Sequence, residues 1–207
     1  CYAPPADAPE VNSLPALTNG YITFGSLHSL AKVNDRVLDL WSNVLAEIPT
    51  SRLLIFRNTL TPNAQSRLSE SFTRRGIDPT RLIMRRERPE AGYLAVYHDI
   101  DISLDTFPFT GHTTGCQSLF MGVPIVTLLG DSHRHRLVGT ILKHAGYPQL
   151  IAETPEQYVE IAKSLAADAP ALADLRQSLR PRLLNSPLCN QEQFTREFEA
   201  MLISLLK

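Results

Sequence analysis

The sequence predicts an α/β fold, a Rossmann-like open parallel sheet with helices on both faces, and three observations predict it. Short β-rich runs recur along the chain, helix-like stretches of roughly ten to fifteen residues separate them, and turn residues mark the joins. Parallel strands joined through helices take right-handed crossovers, which places helices on the two faces of one sheet.

The elements follow in order. Residues 1–19 hold Pro4, Pro5, Pro9 and Pro15 with little periodicity, and read as an extended linker or strap ahead of a lobe spanning 20–207. Tyr21 to Phe24 is the first β-rich run. Asn34 caps a helix whose apolar stripe is Val37, Leu38, Trp41, Val44, Leu45 and Ile48, and Pro49 ends it. Arg52 to Phe56 is the second strand. Thr61-Pro62 supplies an N-cap and a first-turn proline for a helix that Gly76 stops. Leu82 to Met84 is a third strand, and Pro89 opens a helix to about His98. Ile100 to Thr106 is a fourth strand, followed by a short helix from Thr114 to Met121. Pro124 to Leu129 is a fifth, followed by a helix through about Ala145. Helical segments near 155–167, 170–182 and 191–206 close the chain, the last with Phe194, Phe198, Met201, Leu202 and Leu205 on one face.

Composition narrows the function classes. The 207 residues are 43% hydrophobic and 20% charged, and the chain has a net charge of −1. That balance supports a globular core and gives no global attraction to nucleic acid or acidic membranes. No apolar run approaches the roughly 18 residues of a membrane span, and no signal-peptide pattern opens the chain. Cys1, Cys116 and Cys189 are too few and too scattered for a disulfide framework or a CxxC metal site, which points to a reducing, cytoplasmic compartment. A first residue of Cys rather than Met reads as excision from something longer.

In open parallel sheets, ligands bind beyond the carboxyl ends of the strands, where the strand order reverses. The segment after the fourth strand, Asp105 to Gly115, is therefore the first candidate. Gly111 and Gly115 permit tight turning, while Thr113, Thr114 and several amides stand where a helix begins, an anion site by its dipole and free N–H groups. His112 adds a possible donor. The competing reading is structural: Thr113 or Thr114 caps the helix and His112 only packs. The pattern is neither GxGxxG nor a P-loop. Lys32, in the loop after the first strand, is a point charge for a diphosphate or else a solvated lysine. Asp101 and Asp105 frame the fourth strand and read as strand-end carboxylates. The run His133 to Arg136 lacks the spacing of helical zinc ligands and reads as a basic helix start, with Arg136 anchoring a loop; no metal site is assigned.

Several stretches together resemble one family. Tyr21-Ile-Thr-Phe-Gly-Ser-Leu with Leu30-Ala-Lys32, Asp101-Ile-Ser-Leu-Asp-Thr-Phe-Pro108, Gly111-His-Thr-Thr-Gly115, Leu119-Phe-Met-Gly-Val-Pro-Ile-Val-Thr127 and Ser186-Pro-Leu-Cys-Asn190 are similar to the C-terminal catalytic lobe of the O-GlcNAc transferase and SPINDLY family. The resemblance implies the second lobe of a GT-B enzyme, with a first lobe and a tetratricopeptide array outside this chain. It implies transfer of a sugar from a nucleotide diphosphate, most simply UDP-GlcNAc, to Ser or Thr hydroxyls of proteins without a metal or other cofactor. In that picture Lys32 is the catalytic lysine that meets the diphosphate, and Gly111, His112, Thr113 and Thr114 hold its phosphates. Ser29 falls where the animal transferase has a glutamine near the donor, and Phe56 where it has a leucine. Gln117 replaces an aspartate at the ribose, Glu90 and Tyr93 replace lysine and histidine near the uridine, and Arg88 replaces a small residue at the base. These departures cluster around the nucleoside. The alternatives that follow are a GDP-fucose-dependent protein O-fucosyltransferase lobe and a non-catalytic binding module.

Overall fold

A computed structural model describes residues 1–205. Six strands, β1 (Thr23–Ser26), β2 (Arg52–Phe56), β3 (Leu82–Arg85), β4 (Ile102–Leu104), β5 (Ile125–Leu128) and β6 (Ile151–Ala152), pair in parallel in the order β3-β2-β1-β4-β5-β6. The strand order reverses between β1 and β4, so the carboxyl ends of these two strands flank the crevice. Strands β1, β4 and β5 are buried along their whole length, as expected where helices cover both faces of a parallel sheet.

Helices α2 (Asp35–Glu47), α3 (Pro62–Thr73) and α6 (Pro155–Ala167) pack on one face. Helices α4 (Thr113–Phe120), α5 (Leu137–His144) and α7 (Ala169–Leu184) pack chiefly on the other, and α8 (Gln191–Ser204) ends the described chain. Strand side chains alternate between the two cores: Phe24, Leu53 and Ile55 join Trp41 and Val44, whereas Leu54 and Phe56 join Leu119 and Ile141. The helix starts are those the sequence predicts. Asn34 Oδ1 accepts from the Val37 amide at 3.2 Å, and Thr61 Oγ1 from the Ala64 amide at 3.3 Å ahead of Pro62.

Four expectations need correction. The first strand is displaced towards Ser26, and within it Gly25 passes so close to Ile100 that a β-carbon would lie 2.3 Å from that side chain. The segment after Pro89 is no α-helix. Gly92 holds φ at 91°, which an α-helix cannot carry, and a 3₁₀ stretch over Tyr93–Asp99 follows. Strand β6, of two residues, is too short to leave a periodic signal. The opening segment is not extended throughout: it turns at residues 6–7, and Pro15 already has helical backbone angles. It then forms the helical turn α1 (Ala16–Asn19), and its Tyr2 and Leu14 are buried.

That strap is fastened by Arg176 of α7, whose side chain is wholly buried. Its guanidinium donates to the Asn12 carbonyl and Oδ1, and to the carbonyls of Ile100 and Tyr97. Burial pushes its pKa down to about 10. The expected closing helix to 206 is seen to Ser204, and position 206 lies outside the described residues. No helix among the described residues is long and apolar enough to cross a membrane, and Cys1, Cys116 and Cys189 are free.

Candidate functional site

The loop from Asp105 to His112 and the start of α4 stand over the crevice between β1 and β4. Asp105 organises it from a fully buried position. Its Oδ1 accepts from the Thr106 amide at 2.9 Å and from the Gly111 amide at 2.8 Å, and its Oδ2 from Thr127 Oγ1 at 2.6 Å. Its carbonyl accepts from Trp41 Nε1 and Tyr158 Oη, which ties the loop to α2 and α6. Asp101, by contrast, sits at the amino end of β4 and receives the amides of Ala16 and Thr23. The two carboxylates are therefore not an acid/base pair; each holds backbone at its own end of the strand.

His28 joins this network. Its Nδ1 is 3.0 Å from Ser26 Oγ, and its Nε2 lies 3.0 Å from Asp105 Oδ1, but off the hydrogen-bonding line, so that buried nitrogen has no bonded partner. A β-carbon on Gly111 would fall 2.6 Å from the same Nε2. Position 111 is thus held to glycine by contact with His28.

The structure decides between cap and open helix start. His112 occupies the N-cap of α4, with φ −133° and ψ −89°, and no side chain caps the helix. Its carbonyl accepts from the amides of Gly115 and Cys116, and no hydrogen bond to the amides of Thr113 or Thr114 is present among the described residues. His112 and Thr113 are exposed, and Thr114 partly so. An uncapped helix start with free amides and exposed hydroxyls attracts anions.

Lys32 ends a 3₁₀ turn (Leu30–Lys32) beside this start. Its Nζ donates to the Thr110 carbonyl at 2.8 Å and lies 3.9 Å from the centre of the Phe109 ring. Asn34 binds the Phe107 carbonyl from the same side, and Thr110 donates to the Arg134 carbonyl on the other. Burial lowers the Lys32 pKa, Asp105 opposes the change and Arg57 adds to it. Lys32 and the Gly111–Thr114 turn are therefore brought together, one loop holding the other.

The remaining predicted residues are spread wider. Ser29 is exposed just before the Lys32 turn, with no side-chain cap bond. Phe56, buried at the end of β2, meets the Tyr93 ring edge-on at 5.6 Å. Tyr93 is half-buried, which raises its pKa, and Arg57 opposes the rise. Gln117 is partly exposed on α4, and Arg88 and Glu90 are exposed in the loop after β3. The run His133–His135 forms a 3₁₀ turn. Arg136 donates to the Gly130 carbonyl at 2.9 Å and to that of Asp131, the loop-anchoring role its position predicts. No cluster of three or more His, Cys, Asp or Glu side chains placed for a metal occurs among the described residues. Sequence reasoning missed His28 and gave Asp105 too small a part. The register of β1 against β4, which sets residue 28 beside the Asp105 loop, is visible only in three dimensions.

Known proteins fit this architecture. The family model for glycosyl transferase family 41 matches residues 12–198. A probable UDP-N-acetylglucosamine–peptide N-acetylglucosaminyltransferase SPINDLY from Petunia hybrida is 40% identical over 202 residues, covering 97% of this chain and 22% of its own length. The UDP-N-acetylglucosamine–peptide N-acetylglucosaminyltransferase of Caenorhabditis elegans is 31% identical over 196 residues, covering 92% of this chain and 16% of its own length. Among solved structures, a lysine-to-methionine variant of Thermobaculum terrenum O-GlcNAc transferase superposes with a TM-score of 0.87 at 36% identity, over 96% of this chain and 38% of that one. The chain thus spans about a fifth of the length of the curated relatives it matches. The six-stranded lobe has a GT-B-like glycosyltransferase fold, and the chain belongs to glycosyl transferase family 41.

Proposed function

We propose that this lobe binds the diphosphate of a nucleotide sugar, UDP-GlcNAc in the first place, and supports transfer of the sugar to Ser or Thr hydroxyls of a protein as one part of a larger enzyme. The observation that carries the reading is the uncapped start of α4 with Lys32 tied to the Thr110 carbonyl beside it. In the transfer, the acceptor oxygen bonds to the anomeric carbon as the bond to the diphosphate breaks. Negative charge then grows on the departing phosphate. Fixed amides, the Thr113 and Thr114 hydroxyls, His112 and Lys32 are placed to stabilise that charge more than the ground state. No metal role is assigned, because these groups supply the positive field. The proton of the acceptor hydroxyl goes to a base outside this chain.

Ser29, Phe56, Arg88, Tyr93 and Gln117 complete the proposed donor surface, with the nucleoside lying towards β3. The exposed apolar face of α8, where Phe194, Phe198, Met201 and Leu202 are each about half exposed, supports a further lobe packing here. So does the small share of the relatives that this chain spans. A repeat array presenting the acceptor, and a cytoplasmic setting with three free cysteines, belong to the same reading. A second reading, GDP-fucose as donor, draws on the departures at Arg88, Glu90, Tyr93 and Gln117, which cluster around the nucleoside.

Calorimetric titration of the chain with UDP and GDP tests both. Lys32→Ala and His112→Ala should each lose most of the nucleoside diphosphate affinity, about tenfold or more for a charge-assisted contact, with little change in melting temperature. Unchanged affinity in both variants would sink the phosphate assignment. Binding of neither nucleotide by a folded wild-type chain would favour a non-catalytic module.

A further inference from the structure

Arg57 directly follows β2, and its amide donates to the Arg85 carbonyl at 3.1 Å, so the sheet ladder still holds its backbone. Carrying the β1–β2 register two steps beyond the pair Ser26 and Ile55 sets Arg57 level with His28 on the carboxyl edge. The side chain stands in the field of both Lys32 and Tyr93, since it disfavours protonated Lys32 and favours ionised Tyr93. Its charge therefore reaches both the lysine of the proposed phosphate site and Tyr93, the partner of Phe56.

What sets Arg57 apart is that its donors are not used. Its Nε is fully buried and has no hydrogen-bond partner, and no carboxylate lies within ion-pair distance of it or of Lys32 among the described residues. Other arginines that reach into the protein behave differently. Arg81 spends its guanidinium on the Leu45, Ile48 and Ser51 carbonyls, Arg176 on Asn12, Tyr97 and Ile100, and Arg75 on Asp35 and Asp39. A structural arginine satisfies its donors in this way, because an orphaned buried donor has lost its water and gained nothing in return. Arg57 also repels the charge on Lys32, a repulsion that the Asp105 carboxylate offsets from a distance without an ion pair to either cation. An arrangement that stores both penalties at the mouth of a crevice is relieved by an anion, and the planar guanidinium fork suits phosphate oxygens.

We propose that Arg57 is a further donor-binding residue, its guanidinium holding the diphosphate together with Lys32 from the β2 side of the crevice. The proposal rests on the reading that the lobe binds a nucleoside diphosphate. The test titrates the full chain, by NMR or calorimetry, with pyrophosphate and with whichever of UDP and GDP the wild type prefers, plus the matching monophosphate. Arg57→Gln should lose about tenfold or more in affinity for the diphosphates, and distinctly less for the monophosphate. Arg57→Lys, which keeps the charge and loses the fork, should fall between. Melting curves of both variants report folding, and Arg57→Lys carries the test should Arg57→Gln unfold. Equal affinity of wild type and Arg57→Gln for the diphosphate overturns the inference alone. So does an equal loss for diphosphate and monophosphate. A wild type that binds no nucleotide overturns the proposed function, and this inference with it.

Discussion

Two ends of one sheet edge differ sharply. Around Gly111, between β1 and β4, loops are cross-tied: the Asp105 carboxylate holds two amides and Thr127, Lys32 holds the Thr110 carbonyl, and Asn34 holds that of Phe107. Beyond β3, Arg88 and Glu90 are exposed, and Tyr93 contributes a single ring contact to Phe56. The first end is built before any ligand arrives. The second offers side chains in a loop with few ties, where a change of residue disturbs little else. The contrast separates a cross-tied diphosphate half of the proposed site from a loosely tied half for the base and sugar. A preorganised half also has more to lose.

The largest expected effect is therefore at Asp105. Asp105→Ala strands the Gly111 and Thr106 amides and the Thr127 hydroxyl in a buried place, at about 1–3 kcal/mol each. A total loss of about 3 kcal/mol or more in stability should accompany at least a tenfold loss in nucleoside diphosphate affinity. Asp105→Asn keeps an acceptor and the volume, and should fall well short of both losses. Denaturant unfolding with parallel titrations measures the pair. A stable Asp105→Ala variant that binds normally would show that the turn does not depend on its carboxylate.

Lys32 gives a smaller effect with a direction in pH. Burial holds its folded pKa below that of a free lysine. Affinity for a diphosphate should then fall as pH rises through that lowered value, before an ordinary lysine at about 10.4 loses its proton. Stability moves the other way. Between the folded and unfolded pKa values the unfolded chain binds the extra proton, so the contribution of this group to folding rises with pH. Lys32→Met removes the charge and should flatten both slopes in the pH range just below that of an ordinary lysine. A variant with the wild-type slopes would mean that another group titrates there.

How far the sequence could be read follows the same division. The α2 stripe through Val37, Trp41 and Val44, the caps at Asn34 and Thr61, and the strand Arg52–Phe56 are local patterns, and they fold where their periods place them. Lys32 and the Gly111–Thr114 turn were legible as candidates because strand ends in a parallel sheet point to them. The choice between a threonine cap and an open helix start was not, since it depends on the backbone angles of His112. His28 and Arg57 carried no local signal. Each acquires a role only when β1, β2 and β4 come into register, and that pairing spans dozens of residues. The segment from Pro89 misled because its apolar residues are real core, Leu94, Val96 and Tyr97, yet Gly92 sets a conformation that yields a 3₁₀ stretch.

The smallest expected effects lie at the open end, and they sharpen the contrast best because they should separate base from phosphate. Tyr93 packs edge-on against Phe56, an aromatic contact of about 0.5–1.5 kcal/mol beyond area burial. Tyr93→Ala should cost more than that in stability, because the buried area of the ring is lost as well, and lower nucleoside diphosphate affinity by roughly two- to tenfold. Its affinity for pyrophosphate, which has no base to place, should stay within error of wild type. Arg88→Ala, at an exposed position, should alter stability by about 0.5 kcal/mol at most. Its signal should be a changed UDP-to-GDP preference. If Tyr93→Ala weakens pyrophosphate as much as it weakens UDP, the aromatic pair is shaping the phosphate half through Arg57, and the two ends of the edge act as a single unit.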